Sequence, residues 1–157
     1  MPPRDDIDRL MDVMHAAFDP AFGEAWTRRQ IEDALLIGNC HYLLINPQGS
    51  PAEPGEETAG FSLTRYGYEE EELLLFAVQP KYRRLGLGRI MLQTVFDRAR
   101  ERGAGRIILE MRKGNPAQYL YAACGFQPVG ERRDYYRTPD GHRIDAITFA
   151  HDLAKLG

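Results

Sequence analysis

The residues best suited to chemistry fall in one stretch, FAVQPKYRRLGLGR, residues 76–89. An apolar run ends in a proline-containing turn, and Arg83-Arg84-Leu85-Gly86-Leu87-Gly88-Arg89 then leads directly into a helical pattern. Glycines let the backbone approach a ligand closely, and the first amides of a helix lack intrahelical partners. The helix dipole makes that end positive and the three arginines add forked donors, so the segment suits a phosphate or pyrophosphate. A second candidate is Glu110, the one acid in the otherwise apolar strand pattern RIILEM, residues 106–111. There Ile107, Leu109 and Met111 alternate on one face, and Ile108 shares the other with Glu110. Position alone leaves two readings of Glu110 open: a general base beside the anion site, or an edge glutamate with no role.

Spacing narrows the choice of anion. The GxxxxGK[ST] pattern of a P-loop is absent, and a dinucleotide fingerprint would need a third glycine where Met91 stands. Neither cysteine, Cys40 or Cys124, has a second cysteine or a histidine at ligand spacing, so no metal site is expected and both read as reduced core thiols. The four histidines form no HExxH pattern and read as structural or exposed.

The elements that must position these residues follow from periodicity. Two helices and a strand fill the first 46 residues. The second helix is expected to start at Thr27, as N-cap with Gln30 at the third helical position and Trp26 and Ile31 as a staple, and to end at Gly38. Cys40–Ile45 reads as a strand, and residues 47–57, with three prolines and two glycines, read as a turn or mobile hairpin tip. Thr58–Tyr66 and Glu72–Val78 are further strands, the latter apolar on both faces and so central in its sheet. Leu85–Arg102 is the strongest helix pattern, followed by strand 106–111. Strand, helix and strand in so short a span form a βαβ unit whose strands lie parallel. A short helix is expected over Pro116–Cys124 with Asn115 as N-cap, then strands Gln127–Tyr136 and Arg143–Asp152. The sum is one α/β domain over residues 1–157, with antiparallel arms around one parallel pair.

Composition excludes several classes. The 157 residues carry a net charge of −3 and 43% hydrophobic residues, ordinary for a globular chain. The longest apolar run, Leu73 to Val78, is far too short to span a membrane, and Met1 to Asp6 holds no apolar signal core, so a cytoplasmic protein is expected. The charge is uneven: residues 1–79 hold 15 acids and 5 bases, whereas residues 80–113 hold 3 acids and 10 bases. Acids alternate with Arg98, Arg100 and Arg102 without interleaved aromatics, so nucleic acid is not the expected partner.

Arg83, Gly86 and Gly88 match the R-x-x-G-x-G spacing of the coenzyme A loop in the GCN5-related N-acetyltransferase superfamily, which the chain resembles. LEMRKGNPAQYLYAACGF, residues 109–126, is similar to the LEVRxxN…LYxxxGF pattern of its bacterial ribosomal-protein-alanine N-acetyltransferases, and RRDYYRTPDGHRIDAITF, residues 132–149, to their tail. The resemblance covers roughly residues 24–152. It implies a mixed, mostly antiparallel sheet with one parallel βαβ pair at the cofactor site and helices on both faces. It also implies acetyl-CoA as cofactor and acetyl transfer to a protein N-terminal amine, ribosomal for preference. The alternatives are a lysine or small-molecule acceptor, or a non-catalytic acyl-CoA-binding module. A monomer or weak dimer, binding neither nucleic acid nor membrane, is expected.

Site residues follow from the same resemblance. Glu110 takes the base position and Tyr121 that of the proton donor to the departing thiolate, Tyr119 being the competitor two positions away. Phe76, Ala77 and Val78 match the strand that pairs with the pantetheine arm, and Arg83 to Arg89 the pyrophosphate loop. Asn115 matches a cofactor contact, although the family has six residues between this Asn and Tyr and this chain has five, a difference the helix start must absorb. Glu70, Glu72, Tyr135 and Tyr136 are candidates for the acceptor side, where the acidic first half would attract a cationic amine.

Overall fold

The computed structural model describes residues 4–153; Met1 to Pro3, part of the stretch read as lacking a signal core, lie outside them. Helices α1 (Arg4–Ala17) and α2 (Arg28–Ile37) precede β1 (Cys40–Ile45), β2 (Gly60–Gly67) and β3 (Glu70–Val78). Then come α3 (Leu87–Glu101), β4 (Arg106–Arg112), α4 (Gln118–Ala123), β5 (Gln127–Arg137) and β6 (Arg143–Asp152). The six strands form one sheet in the order β1-β2-β3-β4-β6-β5. All neighbours are antiparallel except β3 and β4, the parallel pair joined through α3, so the expected fold class holds.

The local signals that hold are chemical. Thr27 Oγ1 accepts from the Gln30 amide while Gln30 Oε1 accepts from the Thr27 amide, a complete capping box. Ile107, Leu109 and Met111 are buried on one face of β4, with Ile108, Glu110 and Arg112 on the other. Helix α3 starts two residues later than its pattern suggests, because Arg84 and Gly86 adopt left-handed φ of 67° and 78°. Segment 47–57 is not a free tip: Pro51 bridges Ile45 and the Ala52 amide donates to Leu44 O, covering the outer edge of β1. Cys40 and Cys124 are free but half-buried rather than core, and burial pushes both thiols up from their ordinary pKa.

A core lies on each face of the sheet. Met91, Leu92, Val95 and Phe96 of α3 pack with Ile107, Leu109, Met111 and Tyr121. Ile7, Leu10 and Met14 of α1 pack with Ile31, Phe61, Leu63 and Leu75 on the other side. Each such fully buried aliphatic or aromatic side chain contributes about 1.5–3 kcal/mol. Glu71, fully buried, is held by a bidentate contact from Arg102, Nε at 2.8 Å and Nη2 at 2.6 Å.

The strand that matters most for the site is β3, because it is broken in phase. Leu75 faces Leu63 and Leu73 faces Thr64 across β2, so Leu74 is an extra residue, a β-bulge. Before it Leu73 packs toward α3; after it Leu75 and Ala77 pack toward α1, and Phe76 and Val78 toward α3. Pairing between β3 and β4 also stops there, at Leu73 and Leu109, although β4 stays paired with β6 as far as Arg112.

The first helix is tied to the sheet by a phenol. Tyr42 donates to Asp6 Oδ2 at 2.5 Å, and burial together with that acceptor pushes the Tyr42 pKa up to about 12. The unfolded phenol ionises near pH 10, so this contribution to stability is full below pH 10 and disappears as pH rises toward 12. Chemical denaturation from pH 8 to 11.5 is expected to show stability falling above pH 10, with a shallower fall in Tyr42→Phe. Equal slopes would remove Tyr42 as the cause.

Candidate active site

Where β3 and β4 separate, β3 keeps a free edge. The Gln79 amide donates to Ala59 O on the β2 side, so the carbonyl of the same peptide, Val78 O, points to the opposite, open side. By alternation the polar backbone groups of Phe76 and Val78 face the opening and those of Ala77 face β2. The opening leads into a cavity of about 660 Å³ lined by Phe76, Ala77, Val78 and residues of the α3 entry. A second cavity of about 380 Å³ lies beside it, reaching Leu74, Glu110 and Tyr136.

The α3 entry has the character of an anion site. The amides of Arg84 to Arg89 find no backbone acceptor among the described residues, and the first amide bonded in α3 is that of Ile90, to Gly86 O. The two glycines are there for different reasons. At Gly86 a side-chain carbon would have nothing within 4 Å of it, so the φ of 78° is what favours glycine; at Gly88 such a carbon would meet Leu120 Cδ2 at 2.9 Å. Arg84 holds a left-handed φ without being glycine, a cost of about 1 kcal/mol or more that turns successive amides to one side. Arg83 is differently employed: Nε donates to Val78 O at 3.1 Å and Nη2 to Ala17 O at 3.2 Å. Leu87 is buried and lines the larger cavity, while Leu85 is exposed and lines neither cavity.

Tyr121 lines both cavities, as do Phe76, Asn115 and Glu24. Its ring packs edge-on against Phe76 and Phe126, with centroids 5.9 and 5.5 Å away. Burial, with a smaller contribution from the charge of Glu24, drives its pKa well above the ordinary phenol value, so it is protonated at neutral pH. Gly125 ends α4 with φ of 97° and lets His151 sit against it, and the Phe126 amide returns to Tyr121 O at 3.0 Å. Tyr119, by contrast, is 73% exposed. At the helix start, Gln118 N–H donates to Asn115 O and Tyr119 N–H to Pro116 O, a tighter three-residue turn. Asn115 Oδ1 accepts from the Ala117 amide at 2.9 Å in the turn before the helix, but α4 begins at Gln118 with Ala117 as its N-cap, two residues later than expected, so Asn115 is not the N-cap of α4.

Glu110 faces the smaller cavity, half-buried. Its Oε2 accepts from Thr148 Oγ1 at 3.1 Å and lies 3.4 Å from Arg132 Nε. Tyr136 reaches the same place because β5 is bulged: Arg133 to Tyr135 stand opposite the single residue Asp145, and Asp134 takes a φ of 53°. The Tyr136 hydroxyl donates to Glu110 O at 3.4 Å, and burial followed by the charge of Glu110 pushes its pKa up to about 12.

Comparison with known sequences decides the family. The model of the acetyltransferase (GNAT) family matches residues 7–126. The chain belongs to the GNAT family. The [ribosomal protein bS18]-alanine N-acetyltransferase of Escherichia coli K12 is 42% identical over 93 residues, 59% of this chain and 62% of that relative, so the match spans less than two thirds of it. A Bacillus subtilis relative is 30% identical over 134 residues, 84% of this chain and 82% of its own length. The crystal structure of the E. coli ribosomal-protein-S18-alanine N-acetyltransferase superposes with a TM-score of 0.79 at 29% identity, covering 99% of this chain and 93% of that one.

Within this GNAT chain the sequence-predicted residues divide cleanly. Phe76, Ala77, Val78, Arg83, Arg84, Gly86 to Arg89, Asn115, Glu110, Tyr121 and Tyr136 all line one or both cavities. Glu70 does not: it pairs with Arg106 at 2.7 Å, at the far end of β3. Glu72 pairs with Arg65 at 2.5 Å, and Tyr135 lines neither cavity but packs edge-on against Tyr136 beneath Arg132. Part of the acidic first half is neutralised within the fold, since Glu57, Glu70 and Glu71 pair with Lys81, Arg106 and Arg102 of the basic stretch. Glu24, Thr148 and Arg132 are not legible as site residues in the sequence; Glu24 sits in an aperiodic loop, and the other two reach Glu110 only through strand register. No helix of the described residues is long and apolar enough to cross a membrane, and no group of three metal-ligating side chains occurs among them.

Proposed function

We propose that this chain is an acetyl-CoA-dependent N-acetyltransferase that transfers acetyl directly to the α-amine of a protein N-terminus, an N-terminal alanine of a ribosomal protein first among candidates. The observation carrying this reading is the junction of two cavities at Tyr121, one ending on unbonded amides and the other on a carboxylate. The amides of Arg84 to Arg89, with Arg84 and Arg89 themselves, fit a pyrophosphate, and the open backbone groups of Phe76 and the Val78 N–H fit the amides of a pantetheine arm, Val78 O being taken by Arg83 Nε. When bound, acetyl-CoA supplies the acyl group as an activated thioester. Glu110 accepts the proton of the acceptor ammonium, held in place by Thr148 and Arg132. Tyr121, kept protonated by burial, donates to the departing sulfur. The acceptor assignment is supported by the E. coli relative, an alanine N-acetyltransferase of ribosomal protein bS18.

Acetylation mass spectrometry tests the reading. With millimolar acetyl-CoA, a short peptide with a free N-terminal Ala is expected to gain one acetyl group, ahead of N-blocked lysine peptides and small amines. Gly86→Glu, which puts a carboxylate at the anion site on a left-handed backbone, is expected to abolish the reaction and the thermal stabilisation by acetyl-CoA. Modification of small amines alone would overturn the acceptor; no thermal shift in the parent protein would overturn the cofactor.

A further inference from the structure

The smaller cavity carries two carboxylates from different walls. Glu110 rises from β4 with its Oε2 already engaged by Thr148 and Arg132. Glu24 enters from the loop between α1 and α2, is partly exposed, and lines both cavities. Its nearest cation, Arg112 Nε at 3.5 Å, makes no hydrogen bond to it: that Nε is buried without an acceptor, and the guanidinium carbon lies 3.6 Å above the Phe22 ring. Arg112 thus pins the loop through Phe22 and leaves the lone pairs of Glu24 available. The field of Glu24 crosses the site, since its charge adds to burial in holding the protons of Tyr121 and Tyr136.

We propose that Glu24 receives the ammonium group of the acceptor in the cavity it shares with Glu110, which makes it a specificity-determining residue for primary amines. The assignment rests on the acetyl-transfer reading above. An ammonium offers three donors, and a site that must both hold and deprotonate it needs one carboxylate that keeps its charge while the other takes the proton. Glu24 suits the first task because only a loose contact to Arg112 competes for it. Arg137 also lines this cavity, so without the carboxylates the site would repel a cation.

The test compares two peptides titrated calorimetrically into protein saturated with CoA. One begins with a free Ala; the other begins with propionyl, in which hydrogen replaces the α-amine. The wild type is expected to prefer the amine peptide by a factor on the order of ten, and Glu24→Gln to erase that preference without weakening the propionyl peptide. In turnover the acceptor KM should rise by a similar factor, with kcat held within about twofold. An unchanged preference overturns the assignment. So does equal weakening of both peptides, which would make Glu24 a loop-packing residue, and so does a fall in kcat at constant KM. If the wild type acetylates another amine in place of N-terminal peptides, the acceptor reading fails, and the same comparison with that amine and its des-amino analogue still decides the role of Glu24. A wild type that acetylates no amine overturns both.

Discussion

Glu110→Gln is expected to lower kcat/KM by about 10²–10⁴, the usual contribution of a positioned general base. Glutamine preserves the shape of the side chain and can still accept from Thr148 Oγ1, which stands 3.1 Å from Oε2, so the change isolates the proton-accepting function. The loss should be greatest below about pH 8, where a peptide α-amine is mostly protonated, and should narrow at higher pH as the acceptor arrives neutral. Acetyl-CoA affinity should not move, because Glu110 does not line the larger cavity. A loss of the same size from pH 6 to 9.5 would assign Glu110 to electrostatic binding rather than proton transfer, and an unchanged rate would falsify the role altogether.

The largest effect on stability is expected far from the chemistry, at Arg102. Arg102→Ala removes both donors from Glu71, whose side chain has no exposure, and leaves a carboxylate buried without its partner. Breaking such a pair from one side costs about 3–5 kcal/mol, against a total stability of about 5–15 kcal/mol. For a chain of this length each kcal/mol corresponds to roughly 2–4 °C in Tm, so a fall of about 6–20 °C is expected in a thermal scan. Replacing both partners, Glu71→Leu with Arg102→Met, should recover much of it, because the cost lies in the stranded charge rather than in losing an attraction. A single-variant loss within about 1 kcal/mol would mean that water or a shifted backbone reaches Glu71.

These two residues mark how far the sequence can be read. The alternation of β4 puts Glu110 on the correct face without any structure, because a strand's side-chain period is fixed by its backbone. The capping box at Thr27 and Gln30 and the amide-rich start of α3 are legible for the same reason: each depends on neighbours a few residues away. Glu71 is hidden in the run Glu69 to Glu72, where composition gives no phase, and its partner Arg102 lies 31 residues later. The same blindness makes Glu70 and Glu72 look like acceptor contacts, although register sends them to Arg106 and Arg65. Charge summed along the chain suggests an acidic attractant, whereas the fold places Glu24, Glu57, Glu70 and Glu71 directly against the basic segment. Glu24 escapes because nothing local distinguishes a loop carboxylate that faces a cavity from one that faces solvent.

The bulge at Leu74 has a further meaning when β3 is considered as a counting device. Two requirements meet on that strand: its first half must bring Glu71 to Arg102 on the α3 side, and its second half must bring Phe76 to Tyr121 on that same side. Residues 71 and 76 differ by an odd number, so a regular strand would send them to opposite faces, and one supernumerary residue restores the parity. The buried ion pair and the cleft are therefore not independent inheritances of the fold. A chain that lost or gained a single residue between them would keep one at the expense of the other, so the length of this strand is constrained as tightly as any side chain it carries.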